Sequence, residues 1–153
     1  MSRSDRILII DDDENIRATL SITLKNAGYK VDTAENGKDA IQKTDANFYN
    51  LALIDIRLPD MQGTELLTSL KETAPRMIKI ILTGYPALEN AVKAVNERAD
   101  GYLIKPVENN ELLKMVKERL DEQKEEKEYG QQKVNQYVKS RFKELQGDSP
   151  ETS

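Results

Sequence analysis

The chain has 153 residues, 23 of them basic and 27 acidic, so its formal net charge of −4 includes no basic excess that would attract a nucleic-acid backbone. It contains no cysteine and no histidine, which excludes disulfide scaffolds, zinc sites with Cys or His ligands, Ser-His or Cys-His catalysis and phosphohistidine chemistry. The N-terminus has no signal-like apolar stretch, and no apolar run approaches the ~18 residues that a membrane span requires. We therefore expect a cytoplasmic domain with no membrane contact and no direct nucleic-acid binding.

Short apolar runs rich in Ile, Leu and Val alternate with longer segments of helical periodicity, which is the pattern of βαβ units around a parallel sheet. This α/β pattern predicts an open, doubly wound sheet, in which ligands bind outside the carboxyl ends of the strands. The predicted strands are residues 6–10, 30–33, 50–54, 79–82 and 101–104. The predicted helices are residues 15–27, 37–45, 64–73, 88–98 and 110–123.

The composition changes after Leu120. Residues 121–133 are almost entirely polar, and Gly130 among them would cost a helix about 1 kcal/mol. Apolar residues then return at helical spacing, which predicts a short amphipathic helix: Val134, Tyr137, Val138, Phe142 and Leu145. We therefore divide the chain into a domain over residues 1–120, a charged helical extension or docking segment over 121–146, and a disordered end over 147–153.

Acidic side chains follow two of the predicted strands. Asp11 and Asp12 close the first strand in "ILIIDDD", and Asp55 closes the third. Asp12, Asp13 or Glu14 could simply cap the following helix, but capping needs a single carboxylate. Clustered carboxylates repel one another unless protons or a cation intervene. Mg²⁺ prefers oxygen ligands and is usually held by one or two carboxylates together with phosphate oxygens, so it suits this cluster.

Two further strand ends carry groups that suit phosphoryl transfer. Thr83 ends the fourth strand in "IILTGYP", and Lys105 ends the fifth in "YLIKP". Each has an ordinary structural reading, as a β-branched strand residue and a solvated strand terminus. Together with Asp55, however, they would provide a carboxylate nucleophile with a hydroxyl and a cation to neutralise the phosphoryl oxygens.

The motifs "ILIIDDD", "LALIDIRLPDMQGTELL", "IILTGY" and "GYLIKPV" occur in the order found in two-component response regulators, so residues 6–120 resemble their CheY-like receiver domain. The resemblance implies a flavodoxin-like sheet of order 2-1-3-4-5 with five helices. It implies Asp55 as the phosphoacceptor, and Asp11, Asp12, Asp55 and the backbone carbonyl of Arg57 as ligands of Mg²⁺.

The same resemblance implies how the domain switches. Thr83 would hydrogen-bond the phosphoryl group, Lys105 would pair with it, and Tyr102 would change rotamer. A cis peptide bond is implied between Lys105 and Pro106. The domain would catalyse its own phosphorylation and dephosphorylation while acting as a signalling protein. Because the chain lacks histidine, the phosphoryl group would come from a sensor histidine kinase, a phosphotransfer protein or a small phosphodonor.

The output is less determined. Residues 121–145 hold as many acidic as basic side chains, so they predict no DNA-binding footprint, and we expect output through a downstream protein target. A homodimer could form through the face of the fourth helix, fifth strand and fifth helix, or through the C-terminal extension. The alternatives are a phosphorelay intermediate and the N-terminal receiver fragment of a longer transcriptional regulator.

Two other readings explain less of the sequence. A constitutive binding module with a structural acidic site would leave Thr83 and Lys105 unexplained. A haloacid-dehalogenase-like phosphatase would use the Asp-x-Asp spacing of Asp11 and Asp13, but Asp55 and the Lys-Pro end would then have no role.

Overall fold

The computed structural model describes residues 5–84 and 99–147. The strands are β1 (Arg6–Ile10), β2 (Lys30–Ala34), β3 (Leu51–Asp55), β4 (Ile78–Thr83) and β5 (Gly101–Ile104). The helices of the described residues are α1 (Glu14–Asn26), α2 (Gly37–Ala46), α3 (Gly63–Ser69) and α4 (Asn109–Gly147). The helix predicted over residues 88–98 and the end predicted to be disordered after Gly147 lie outside the described residues.

The strands form one sheet in the order β2-β1-β3-β4-β5, and every neighbouring pair is parallel. The order changes direction around β1 and β3, because β2 lies on one side of β1 while the later strands continue on the other side. The predicted fold class and the order 2-1-3-4-5 are confirmed. The carboxyl ends of all the strands therefore meet at one edge of the sheet.

Alternating side chains of the central strands pack into two hydrophobic clusters, one on each face of the sheet. On the first face, Ile10 and Ile54 pack with Leu66 of α3. On the second face, Ile9 and Leu53 pack with residues of α1 and α4, among them Leu20, Leu24, Leu112, Val116 and Leu120. Burial on both faces explains why β1, β3 and β4 are near-continuous apolar runs.

The helix ends follow from local hydrogen bonds. Of the three candidates for the cap of α1, Asp13 is the N-cap residue, because its side chain accepts hydrogen bonds from the amides of Asn15 and Ile16. Helix α3 ends at Ser69, four residues before the predicted end. The hydroxyls of Thr68 and Ser69 donate to the carbonyl of Glu65, and such local bonds compete with continuation of a helix.

Helix α4 continues through Gly130, well past the predicted end at residue 123. Its last buried side chain is Gln123, whose amide donates to the carbonyls of Asn50 and Arg76 near the amino ends of β3 and β4. From Lys124 to Leu145 every side chain is exposed. The helix runs without a break across the predicted boundary at residue 120, and the separate role of residues 121–146 stays a prediction.

Candidate functional site

The sheet register brings the predicted site residues to one edge. Ile10 pairs with Ile54, so the next residues, Asp11 and Asp55, occupy equivalent positions at the ends of adjacent strands. In the same way Asp55 pairs with Leu82 of β4, and Thr83 is the residue directly after Leu82. Lys105 comes directly after the partner of Thr83 on β5, and its amide donates to the carbonyl of Thr83 over 2.7 Å.

The carboxylates of Asp11, Asp12 and Asp55 meet at this edge. One oxygen from each of the three lies within 4.8 Å of the others. Asp11 and Asp55 are buried, whereas Asp12 is exposed. An all-oxygen, negatively charged set of this kind fits a hard divalent cation such as Mg²⁺, because the cation would relieve the mutual repulsion.

Lys105 supplies a cation to the cluster from the end of β5. Its Nζ lies 2.8 Å from Oδ2 of Asp11 and 3.4 Å from Oδ2 of Asp55. Burial opposes the charge of the ammonium, but the hydrogen bond with Asp11 and the two carboxylate charges outweigh it and raise the pKa of Lys105. Lys105 therefore stays protonated next to the proposed acceptor.

For Asp55, the contributions that raise the pKa outweigh those that lower it. Burial and the negative charge of Asp11 raise its pKa from 3.8 to about 6, although the amide of Arg57 and the Lys105 ammonium act in the opposite direction. The amide of Arg57 donates to Oδ1 of Asp55 over 3.2 Å. Asp55 is thus a buried carboxylate that ionises near neutral pH, which suits a nucleophile that must also bind a cation.

The remaining predicted residues surround this cluster. Thr83 is fully buried at the end of β4, and Tyr102 is half-buried on β5, where it packs against the cluster that contains Ile54. The peptide bond between Lys105 and Pro106 is cis, as is the bond before Pro75. An open cleft of about 550 Å³ is lined by Asp11, Asp12, Asp13, Asp55, Arg57, Gly84 and Lys105, among others.

Two contributing residues were not predicted from the sequence. The guanidinium of Arg17 on α1 donates to the backbone carbonyl of Asp11 over 2.8 Å and so fixes the main chain beside the acidic pair. The carboxylate of Asp60 accepts hydrogen bonds from the amides of Gly37 and Lys38 at the start of α2. The hydrogen-bond partners of Asp60 lie more than twenty residues away along the chain. No local sequence pattern therefore predicts this contact. Arg17 follows Asp11 by six residues, which is close enough for the first turn of α1 to have suggested it.

This arrangement of strand-end residues is matched by a known family model. Residues 7–117 fit the model described as the response regulator receiver domain. The chain belongs to the response regulator receiver family. A receiver domain is a phosphorylation-activated switch of two-component systems, and it binds Mg²⁺ at an acidic site.

Curated relatives of this receiver are longer proteins. The transcriptional regulatory protein ZraR of Klebsiella oxytoca is 36% identical over 114 residues, which cover 74% of this chain and 26% of the relative. The cell cycle response regulator CtrA of Brucella ovis is 32% identical over 111 residues, which cover 72% of this chain and 48% of the relative. The chain therefore spans between about a quarter and a half of the length of these relatives.

Solved receivers share the fold over most of their own length. A CheY-like receiver domain protein from Methanospirillum hungatei has 46% identity and a TM-score of 0.74, covering 81% of this chain and 99% of that one. The response regulator TrrA of Thermotoga maritima, solved with Mg²⁺ and BeF, has 34% identity and a TM-score of 0.68, covering 75% and 98%. Among the described residues of this receiver, no helix is both long and apolar enough to cross a bilayer.

Proposed function

We propose that this chain accepts a phosphoryl group on Asp55 from the phosphohistidine of a sensor histidine kinase or a phosphotransfer protein. The observation that supports this is the position of the Asp55 carboxylate, buried beside Asp11 and Lys105 at the carboxyl ends of three strands. An oxygen of Asp55 attacks phosphorus, the nitrogen–phosphorus bond of the donor breaks, and its electron pair returns to the imidazole. The 153 residues of the chain contain no histidine, so the donor histidine lies outside them.

The acidic cluster would hold the metal. The carboxylates of Asp11, Asp12 and Asp55, with the backbone carbonyl of Arg57, are the proposed ligands of Mg²⁺. When bound, Mg²⁺ neutralises charge that develops on the phosphoryl oxygens. Burial and the negative charge of Asp11 together raise the pKa of Asp55, and this repulsion between buried carboxylates supports a cation here.

Lys105 and Thr83 would bind the phosphoryl group once it is attached to Asp55. The Lys105 ammonium, 2.8 Å from Asp11 and 3.4 Å from Asp55, needs only a small shift to pair with a phosphoryl oxygen. The Thr83 hydroxyl would donate a hydrogen bond to another oxygen. Movement of Thr83 would leave room for the Tyr102 ring on the neighbouring strand, and the surface around β5 would change its packing.

We place the output in protein contacts. Tyr137, Phe142 and Leu145 in the second half of α4 are 66%, 61% and 66% exposed, so this segment presents apolar surface to a downstream protein target. Homodimerisation through this extension, or through the face that includes β5 and α4, belongs to the same proposal. The absence of nucleic-acid binding and the cytoplasmic location stay predictions from the sequence.

A longer transcriptional regulator is the second candidate. The observation that favours it is that the curated relatives extend well beyond the part matched here, as with ZraR. Transfer of the phosphoryl group onward to a second histidine protein, as in a phosphorelay, is a further proposal. The mass of the native protein in its source cells tests whether it is a longer regulator. Transfer of the phosphoryl group from the phosphorylated chain to a histidine phosphotransfer protein tests the phosphorelay.

The chemistry is tested by incubation with Mg²⁺ and acetyl phosphate or phosphoramidate, followed by intact mass measurement. We expect a metal-dependent gain of one phosphoryl group in the wild type and none in Asp55→Asn. Asp45→Asn, which makes the same change at an exposed position of α2, is the matched control and keeps the gain. A gain that survives Asp55→Asn, or no gain with either donor, would remove Asp55 as the acceptor.

A further inference from the structure

The loop between β3 and α3 carries the proposed metal-binding carbonyl of Arg57, and it is closed by its own hydrogen bonds. The amide of Leu58 donates to the carbonyl of Met61 over 3.2 Å, and the amide of Gly63 donates to the carbonyl of Ile56 over 2.8 Å. The loop therefore behaves as one compact turn. Its base is fixed to β4, because the amide of Ile56 donates to the carbonyl of Leu82 over 2.9 Å, and its tip is held by a contact from another element.

Asp60 attaches this turn to α2. Its Oδ1 accepts the amide hydrogen of Gly37 and its Oδ2 accepts that of Lys38, each over 2.9 Å. These are the first two amides of α2, which the helix itself leaves without partners. Asn36 satisfies the next amide, that of Asp39, over 2.7 Å. The start of α2 is thus capped jointly by its own N-cap residue and by a carboxylate from another loop.

The contact is close as well as polar. A Cβ atom added to Gly37 would lie 2.4 Å from Sδ of Met61, the residue after Asp60. The Met61 side chain therefore packs directly against the backbone of Gly37, in the space that a side chain at position 37 would occupy. The two amide bonds also lower the pKa of Asp60, so its carboxylate remains charged opposite the positive end of the helix.

We propose that Asp60 is a positioning residue for magnesium binding, because it holds the turn that carries the proposed metal ligand, the backbone carbonyl of Arg57. The same turn directs the amide of Arg57 to Oδ1 of Asp55 over 3.2 Å. Displacement of the turn would move both Arg57 groups away from the acceptor. This inference rests on the proposed function, and it adds a residue outside the metal's ligand set.

The test measures Mg²⁺ affinity by titration calorimetry, at constant ionic strength, in the full chain. Asp60→Ala removes both acceptor oxygens, and we expect the Kd for Mg²⁺ to rise roughly tenfold, the lower end of the range for groups that orient metal ligands. Asp60→Asn keeps one acceptor oxygen and should fall between Asp60→Ala and the wild type. The matched control is Asp39→Asn, which removes a charge from the same end of α2 without a bond to the turn.

Amide NMR signals separate positioning from a general loss of stability. In Asp60→Ala without metal, we expect the signals of Gly37, Lys38 and Arg57 to shift while those of β1 and β3 stay in place. An unchanged Kd in Asp60→Ala overturns the proposal, and so does an equal rise in Asp39→Asn, which would point to charge alone. The wild type is titrated first. If it binds no Mg²⁺, the proposed function fails and the inference fails with it.

Discussion

Asp55 is a buried carboxylate that holds its proton more tightly in the folded protein than in the unfolded chain. Its pKa rises from 3.8 to about 6 through burial and the charge of Asp11. Lys105 compensates this repulsion only in part, since it lies closer to Asp11 than to Asp55. The metal-free site therefore carries excess negative charge at neutral pH, and this charge has measurable effects on stability.

The first prediction concerns pH. Because the folded state binds the Asp55 proton more tightly, this group's contribution to the free energy of unfolding is lost as pH rises from 3.8 to about 6. Asp55→Asn abolishes that loss, so without metal it should be more stable than the wild type at pH 7, by roughly 1–3 kcal/mol. Urea unfolding in EDTA between pH 4 and pH 8 measures the difference. A difference between the two proteins that does not change with pH would contradict the assigned cause.

The second prediction concerns the site cation. Lys105→Met leaves Asp11 and Asp55 buried without their partner, and we expect it to destabilise the metal-free protein at pH 7 by about 3 kcal/mol. Lys117→Met breaks an exposed pair with Asp121 on α4 and should cost no more than about 0.5 kcal/mol. Thermal and urea unfolding of both variants make the comparison. Equal costs would show that the buried pair contributes no more than the surface pair.

At the scale of elements, β1, β3 and β4 could be predicted to within about a residue because burial on both faces makes them near-continuous apolar runs. The end of α3 could not, since residues 70–73 keep helical composition while the side chains of Thr68 and Ser69 bond back to Glu65. The core site residues were predictable because each ends a strand or comes just after one. Asp60 was not, because its partners on α2 come together only when the sheet is assembled.

The third prediction compares two glycines in different elements. A Cβ on Gly130 in α4 would have nothing within 4 Å, whereas a Cβ on Gly63 would lie 2.3 Å from the Asp55 carbonyl oxygen. Gly130→Ala should therefore stabilise the helical extension by about 0.5–1 kcal/mol, with higher helicity and slower amide exchange there. Gly63→Ala should destabilise the whole protein by about 1–3 kcal/mol and slow phosphorylation of Asp55. Circular dichroism, amide exchange and urea unfolding measure these effects, and a stabilising Gly63→Ala would refute the packing argument.

At the scale of the whole molecule, the site and the last anchor of α4 lie at opposite edges of one sheet. The acidic cluster is at the carboxyl ends of the strands, and Gln123 bonds to Asn50 and Arg76 near the amino ends. The same buried strands connect the acidic cluster to the Gln123 contacts, so ligand binding at the cluster should stabilise the fold as a unit.

The fourth prediction is a linkage between metal and global stability. Mg²⁺ at ten times its Kd should raise the free energy of unfolding by about 1.4 kcal/mol, provided that the unfolded chain does not bind it. The effect should be reversed by EDTA and much reduced in Asp11→Asn, which removes a proposed ligand. Thermal unfolding across a Mg²⁺ series measures it. The same rise in Asp11→Asn would place the bound metal elsewhere on the molecule.

Helix α4 is held to the sheet up to Gln123, and the rest of the helix projects beyond that contact. At about 1.5 Å per residue, the segment from Lys124 to Gly147 reaches roughly 36 Å beyond the contact. A tilt of only about 5° at the contact would sweep the tip through about 3 Å, by the same helix geometry. A small change in the angle of α4 at the two carbonyls bound by Gln123 would therefore be amplified into a displacement of several ångströms at the far end of the helix.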